Sequence, residues 1–158
     1  MKFLIIGLKD SKAGKTTLSL ALIRYLKERT SQVCGFKPRS GNNLWYHWSV
    51  VREGLKQGTV YSRDALNLLK ESSQDLPVTL INPVHRLWIP ITKQNAWGGI
   101  PNFLLDRLTI EGKQYIVLNE NVENPVDQEW FEELFLNSEI RRIQSRKDLQ
   151  DVYPLYER

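Results

Sequence analysis

The feature that most constrains this 158-residue chain lies at its start, where MKFLIIGLKDSKAGKTT runs from Met1 to Thr17. Phe3-Leu4-Ile5-Ile6 has the length and composition of a buried strand. A polar loop from Gly7 to Gly14 follows, and Lys15-Thr16-Thr17 leads directly into a helical pattern. Strand, loop, Gly-Lys-Thr, helix is the layout of a phosphate-binding loop. A loop wrapped over a helix N-terminus aims several backbone N–H groups at one point, and the helix dipole adds positive potential there. On this reading Lys12, Ala13, Gly14, Lys15, Thr16 and Thr17 bind nucleotide phosphates. Lys15 reaches the β- and γ-phosphates, Thr16 completes a Mg²⁺ shell, and Gly14 brings the backbone close without a Cβ in the way. The usual spacing requires Gly at position 9, where this chain has Lys9. Gly7 lies two residues early, so the loop is longer or differently wound. The bland alternative is an ordinary strand–turn–helix unit that happens to contain Gly-Lys-Thr.

A chain of this length builds one domain with a proper core, spanning residues 1–158. Its 41% hydrophobic content excludes a disordered chain, yet no apolar run approaches the roughly 18 residues that a membrane helix needs. The short apolar start lacks a signal-peptide pattern. Cys34 is the single cysteine, which suits a reducing cytoplasm. A net charge of +4 suits a polyphosphate ligand and admits nucleic acid as a less favoured partner.

The segment from Thr16 to Glu28 is helical and nearly apolar all round in its first half, as in a helix buried on a sheet. Gln32 to Phe36 reads as a second buried strand carrying Cys34, which predicts a parallel βαβ crossover. Asn42 to Gln57 has a helical stripe of Trp45, Trp48, Val51 and Leu55, with Gly58 as its stop. The two tryptophans fit core packing better than a ligand platform. Ser62 is an N-cap for a helix over Arg63 to Glu71. Pro83 and Pro90 mark Leu76 to Thr92 as extended chain at a surface or site edge, outside the central sheet. Trp97 to Pro101 is a breaker cluster. Leu104–Ile110 and Gln114–Leu118 around Glu111-Gly112-Lys113 form either a hairpin or a helix and a strand. Pro125 to Leu136 reads as a helix, Glu139 to Ile143 as a last strand, and Ser145 as the cap of a terminal helix.

Four elements in order, GKTTLSLALIRYL, GFKPRSG, SRDALNLLKESS and LINP, carry a further likeness. Over roughly residues 1–90 the chain resembles dethiobiotin synthetase, an ATP-dependent ligase of the P-loop group. The resemblance implies a three-layer α/β P-loop NTPase domain with a mainly parallel sheet, ATP and Mg²⁺ as cofactors, and a homodimer. It implies that Lys15 and Lys37 are catalytic and that Lys37 and Ser40 bind carbamate or carboxylate oxygens of a small-molecule acceptor. Thr16 and Asp64 would serve the metal, with Asn119 or Glu120 standing in for a further acid. The stretch after Leu118 has none of the glycines that shape this loop in the family, and the family runs well past position 158 to its adenine-recognition motif.

No other catalytic constellation competes. His47 and His85 have no metal-ligand spacing, and His85 reads as a surface histidine, or with Arg86 as an anion contact. Arg141, Arg142, Arg146 and Lys147 form a basic cluster that usually marks a solvated face. The reading is therefore a Mg²⁺- and ATP-dependent ligase or phosphoryl transferase acting on a small carboxylate or carbamate. Its rivals are a non-catalytic nucleotide-binding regulatory module and an interaction domain that no longer binds nucleotide.

Overall fold

Backbone hydrogen bonding decides which segments of this chain become strands. The structure is a computed structural model and describes residues 2–7, 13–89 and 103–157. Helix α1 (Lys15–Lys27) starts after Gly14, as the sequence predicts. The apolar segments on either side of it do not form strands. Phe3, Leu4 and Ile6 are exposed, as is Cys34, which was expected inside a buried strand. From 33 to 37 other partners take the amides. Val33 N–H donates to Ser73 Oγ at 2.8 Å, Gly35 N–H to Ser72 Oγ at 2.9 Å, and Lys37 N–H to the Ile81 carbonyl at 2.8 Å.

The first strand of the sheet comes later and is polar, β1 (Arg39–Asn43). Helix α2 (Trp48–Lys56) follows, shorter than the periodicity suggests because Asn42 and Asn43 are spent on β1. Its terminator is the predicted one: Gly58 adopts φ +68°. Helix α3 (Arg63–Glu71) is capped by Ser62, whose hydroxyl accepts the Ala65 N–H at 3.2 Å. The run expected to be β-like before Pro83 is one helical turn, α4 (Val78–Ile81).

Strand β2 (Val84–Trp88) corrects the expectation for the proline-bounded segment. Pro83 precedes the strand and does not interrupt it, and the strand lies between β1 and β3 (Leu105–Ile110). Of the two readings for the next segment, the hairpin holds. Glu111 (φ +52°) and Gly112 (φ +80°) make a two-residue turn from β3 into β4 (Lys113–Asn119). The expected 125–136 helix is a 3₁₀ turn (Gln128–Phe131) followed by α5 (Glu132–Leu136). β5 (Glu139–Ile143) then completes the sheet. Ser145 caps α6 (Arg146–Val152) with a full capping box involving Asp148, and α7 (Pro154–Glu157) follows. The breaker cluster 97–101 lies outside the described residues.

The sheet order is β1-β2-β3-β4-β5. The pairs β1–β2 and β4–β5 are parallel, and β2–β3 and β3–β4 antiparallel. The sheet is thus mixed and not mainly parallel, because β3 runs antiparallel to both of its neighbours. One face buries Leu44, Leu55, Leu87, Leu105 and Ile116 under α2 and α5. Trp48 packs here edge-on to Trp130 at 5.6 Å, the core role expected for it, while Trp45 stays half exposed. The other face buries Phe103, Leu108, Val117 and Ile143 under α6 and α7. A third cluster, Ile23, Val33, Leu68 and Ile81, joins α1, α3 and α4. Among the described residues no helix is long and apolar enough to cross a membrane.

Gly58 couples the end of α2 to α5. A Cβ there would lie 2.5 Å from Asn137 Nδ2 and 3.0 Å from the Glu133 carbonyl, on a backbone that side chains rarely adopt. Gly58→Ala is expected to cost about 1–3 kcal/mol. It should lower the urea midpoint with an unchanged m-value.

Candidate functional site

Of the segment before α1, Gly7, Ala13 and Gly14 lie among the described residues. Gly14 takes φ +73° at the N-cap of α1, and a Cβ there would have nothing within 4 Å. Its carbonyl accepts the Leu18 N–H at 2.9 Å, so the first turn is well formed. No acidic residue sits in that turn to compete for an anion. The Lys15 side chain folds back over Gly7, where an added Cβ would stand 2.7 Å from Nζ. Gly7, two residues too early for the usual motif, is therefore the position that leaves room for the Lys15 side chain. Ala13 and Thr17 are exposed and Thr16 is half-buried. Lys12 and Lys9 lie outside the described residues.

A second feature is an open cleft of about 170 Å³ between the start of β1 and the start of α3. Lys37, Ser40 and Asn42 line one side, Ser62, Arg63 and Asp64 the other, and His47 borders it. Three of the predicted residues, Lys37, Ser40 and Asp64, thus meet in one place. Lys37 precedes a strand here and does not end one. Its Nζ lies 3.0 Å from Asp64 Oδ2, in a pair about one-third exposed. Neither Lys15 nor Thr16 lines this cleft among the described residues.

Behind the cleft is a polar row that the sequence did not announce. Asn82, fully buried, donates through Nδ2 to the carbonyls of Lys37 (2.9 Å) and Val84 (3.0 Å), and its Oδ1 accepts the Ser40 hydroxyl at 2.6 Å. Ser40 Oγ is also 2.7 Å from His85 Nδ1. His85 is fully buried, contrary to the surface position expected. Burial first, then the charges of Arg107 and His47, holds its imidazole down at about 3, so the ring is neutral. Arg107 lies beside it in the register and is also fully buried. Its described partners are neutral oxygens: the carbonyls of Val60, Asn82 and Pro83 and the Thr109 hydroxyl. Burial without a carboxylate lowers its guanidinium to about 9.

Arg86, the next residue, points to the opposite face and leaves the anion contact proposed for His85 and Arg86 without a partner in Arg86. It holds buried Asp106 through two bonds of 2.7 and 2.6 Å, and the Tyr156 hydroxyl donates to the same carboxylate. Glu120 accepts from Arg142 at 3.1 Å and Gln144 at 2.6 Å. The Gln144 bond first, then Arg142, keeps its carboxyl below the usual range. It follows β4, three strands from β1 and roughly 14 Å across the sheet. The structure does not bring it to Asp64. Asn119 is buried, with its amide on the Phe103 carbonyl. Among the described residues no three His, Cys, Asp or Glu side chains form a metal-binding group.

Helices packed on both faces of a mixed five-stranded sheet define an α/β protein. Over about half its length the chain is similar to dethiobiotin synthetases. It is 31% identical over 74 residues to the ATP-dependent dethiobiotin synthetase of Idiomarina loihiensis, covering 47% of this chain and 29% of that protein. It is 34% identical over 83 residues to a second dethiobiotin synthetase of Salmonella typhimurium, covering 52% of this chain and 31% of that protein. The match therefore spans less than a third of either relative. No family model and no solved structure matches the chain.

A buried neutral histidine makes stability depend on pH with a definite sign. The unfolded imidazole titrates near 6.5 and the folded one near 3, so below about 6.5 the unfolded chain binds more protons. Stability should fall on acidification from about pH 6.5 towards 3, with a His85 share approaching ~1.4 kcal/mol per pH unit. Urea unfolding across that window should show a shallower slope for His85→Asn than for wild type.

Proposed function

We propose that this chain binds Mg²⁺·ATP at the α1 loop and transfers the γ-phosphoryl group to a small carboxylate or carbamate held in the neighbouring cleft. The observation that carries this reading is the Gly7–Gly14–Lys15 arrangement: an open left-handed glycine at a 13-residue helix N-terminus, with a lysine crossing back over a second glycine. A glycine-flanked helix start with a lysine at its first turn supports phosphate binding. The relatives' names supply ATP dependence and a ligase-type reaction for those proteins, and here they support the same chemistry.

Lys15 is the cation for the β- and γ-phosphates, and the amides of Gly14 to Thr17 turn towards the same anion. Bound Mg²⁺ would neutralise phosphate charge, with Thr16 and Asp64 as its protein donors. Lys37 steadies the anionic end of the acceptor, and Ser40 lies beside it in the cleft. Catalysis on this scheme is positioning and charge neutralisation. A second reading, a nucleotide-binding module without turnover, draws support from Glu120, which Arg142 and Gln144 hold away from the cleft.

Thermal melting with ATP and Mg²⁺ tests the binding step. Nucleotide at about a hundred times its Kd should add about 2.7 kcal/mol and raise Tm by several degrees, and Lys15→Ala should abolish the shift. No shift with ATP or GTP would remove the reading. The two versions separate on turnover. For the enzyme, Lys37→Met should lower acceptor-dependent phosphate release by ~10²-fold or more while leaving the ATP-induced melting shift in place. For the module, wild type shows the shift and no release.

A further inference from the structure

Ser40 has one proton and two neighbours competing for it. Its Oγ lies 2.6 Å from Asn82 Oδ1 and 2.7 Å from His85 Nδ1. The Asn82 amide can face only one way, because Nδ2 already donates to the carbonyls of Lys37 and Val84. A flipped amide would set an oxygen against both. Oδ1 therefore faces Ser40 and, being an acceptor only, takes the hydroxyl proton. His85 Nδ1 must then carry a hydrogen of its own. A bare nitrogen at 2.7 Å would oppose its lone pair to that of the oxygen. A half-turn of the ring would put Cδ2 there instead, well inside the roughly 3.3 Å at which C–H···O contacts begin. The imidazole is thus the Nδ1–H tautomer, and its Nε2, buried and without a partner among the described residues, is bare.

With its proton given to Asn82 and one lone pair given to His85, Ser40 has a single lone pair left for the cleft. We propose that the buried His85–Asn82 pair makes Ser40 a hydrogen-bond acceptor, so that the ligand group meeting it is an N–H or O–H donor and not a carboxylate or phosphate oxygen. His85 and Asn82 are positioning residues, neither of them lining the cleft. The cleft's cations, Lys37 and Arg63, remain for an anionic group on the same ligand. The ligand is therefore one that carries both an anion and an amide, amine or hydroxyl donor. The proposal rests on the cleft being the acceptor site, and it reverses the donor role that the resemblance implies for Ser40.

Two measurements on the full chain test it, and neither needs nucleotide, so a phosphate loop that fails to bind ATP leaves the result intact. The first is the ¹⁵N imidazole spectrum of the wild-type protein at neutral pH. His85 should show a protonated, pyrrole-type Nδ1 and a bare, pyridine-type Nε2. The second is titration with acetamide and acetate, which share a shape and differ in whether they donate, followed at the Ser40 amide. Acetamide should bind about tenfold more tightly than acetate at this position, despite the favourable charge of acetate. His85→Asn, which keeps an N–H near the Nδ1 position, should retain that preference, and His85→Leu should lose it. An Nε2–H tautomer overturns the proposal. So does acetate equalling or exceeding acetamide, or a Ser40 amide that responds to neither.

Discussion

Asn82 sits where three parts of the molecule need the same side chain. Its amide fixes the carbonyl of Lys37 just before β1 and that of Val84 at the head of β2, and its oxygen receives the hydroxyl of Ser40. Its own carbonyl takes a 2.6 Å bond from Arg107 on β3. These groups are buried or nearly so, and a buried polar group left unpaired costs about 1–3 kcal/mol. No other side chain of similar size offers two donors and an acceptor in that plane. The cleft's geometry therefore depends on a residue that does not face it. Pro83 follows directly and holds the chain extended as it enters the sheet.

The central strands carry opposite electrostatic solutions on their two faces. Arg86 and Asp106 neutralise each other with two hydrogen bonds, and Tyr156 adds a third to the same carboxylate, which pins the C-terminal helix to β3. Arg107 on the other face has only neutral oxygens as described partners. That lone buried charge discourages protonation of His85 beside it and keeps the row behind Ser40 in one protonation state. A fixed state matters more than a strong bond here. It sets which way every hydrogen in the row points.

The elements legible in the sequence were those whose signals are local. The α1 start, the Ser62 and Ser145 caps, the Gly58 stop and β5 each rest on residues a few positions apart. Lys37, Ser40 and Asp64 were singled out through their likeness to known motifs, and the fold gathers them at one cleft. The failures share a cause. Phe3–Ile6 and Gln32–Phe36 have strand composition, but a strand also needs a neighbouring ladder, and the hydroxyls of Ser72 and Ser73 take the amides of the second segment. Arg39–Asn43 has almost no strand propensity and is one because β2 lies alongside. Buried His85 and Arg107 follow residues that look like surface chemistry. Their burial is set by partners 25 to 47 positions away.

The Lys37–Asp64 pair joins the two halves of the proposed chemistry through competition. Lys37 is assigned to the acceptor's anion and Asp64 to the metal, yet the two side chains meet at 3.0 Å. An ion pair this exposed contributes at most about 1 kcal/mol, so a divalent cation beside Asp64 or a carboxylate beside Lys37 displaces it at small cost. Either ligand then frees the partner of the other. Binding at one end lowers the cost of binding at the other, which is positive coupling without movement of the backbone. Its size is bounded by the pair itself, at about fivefold. The backbone of Lys37 stays fixed by Asn82 throughout, so only the ammonium has to turn.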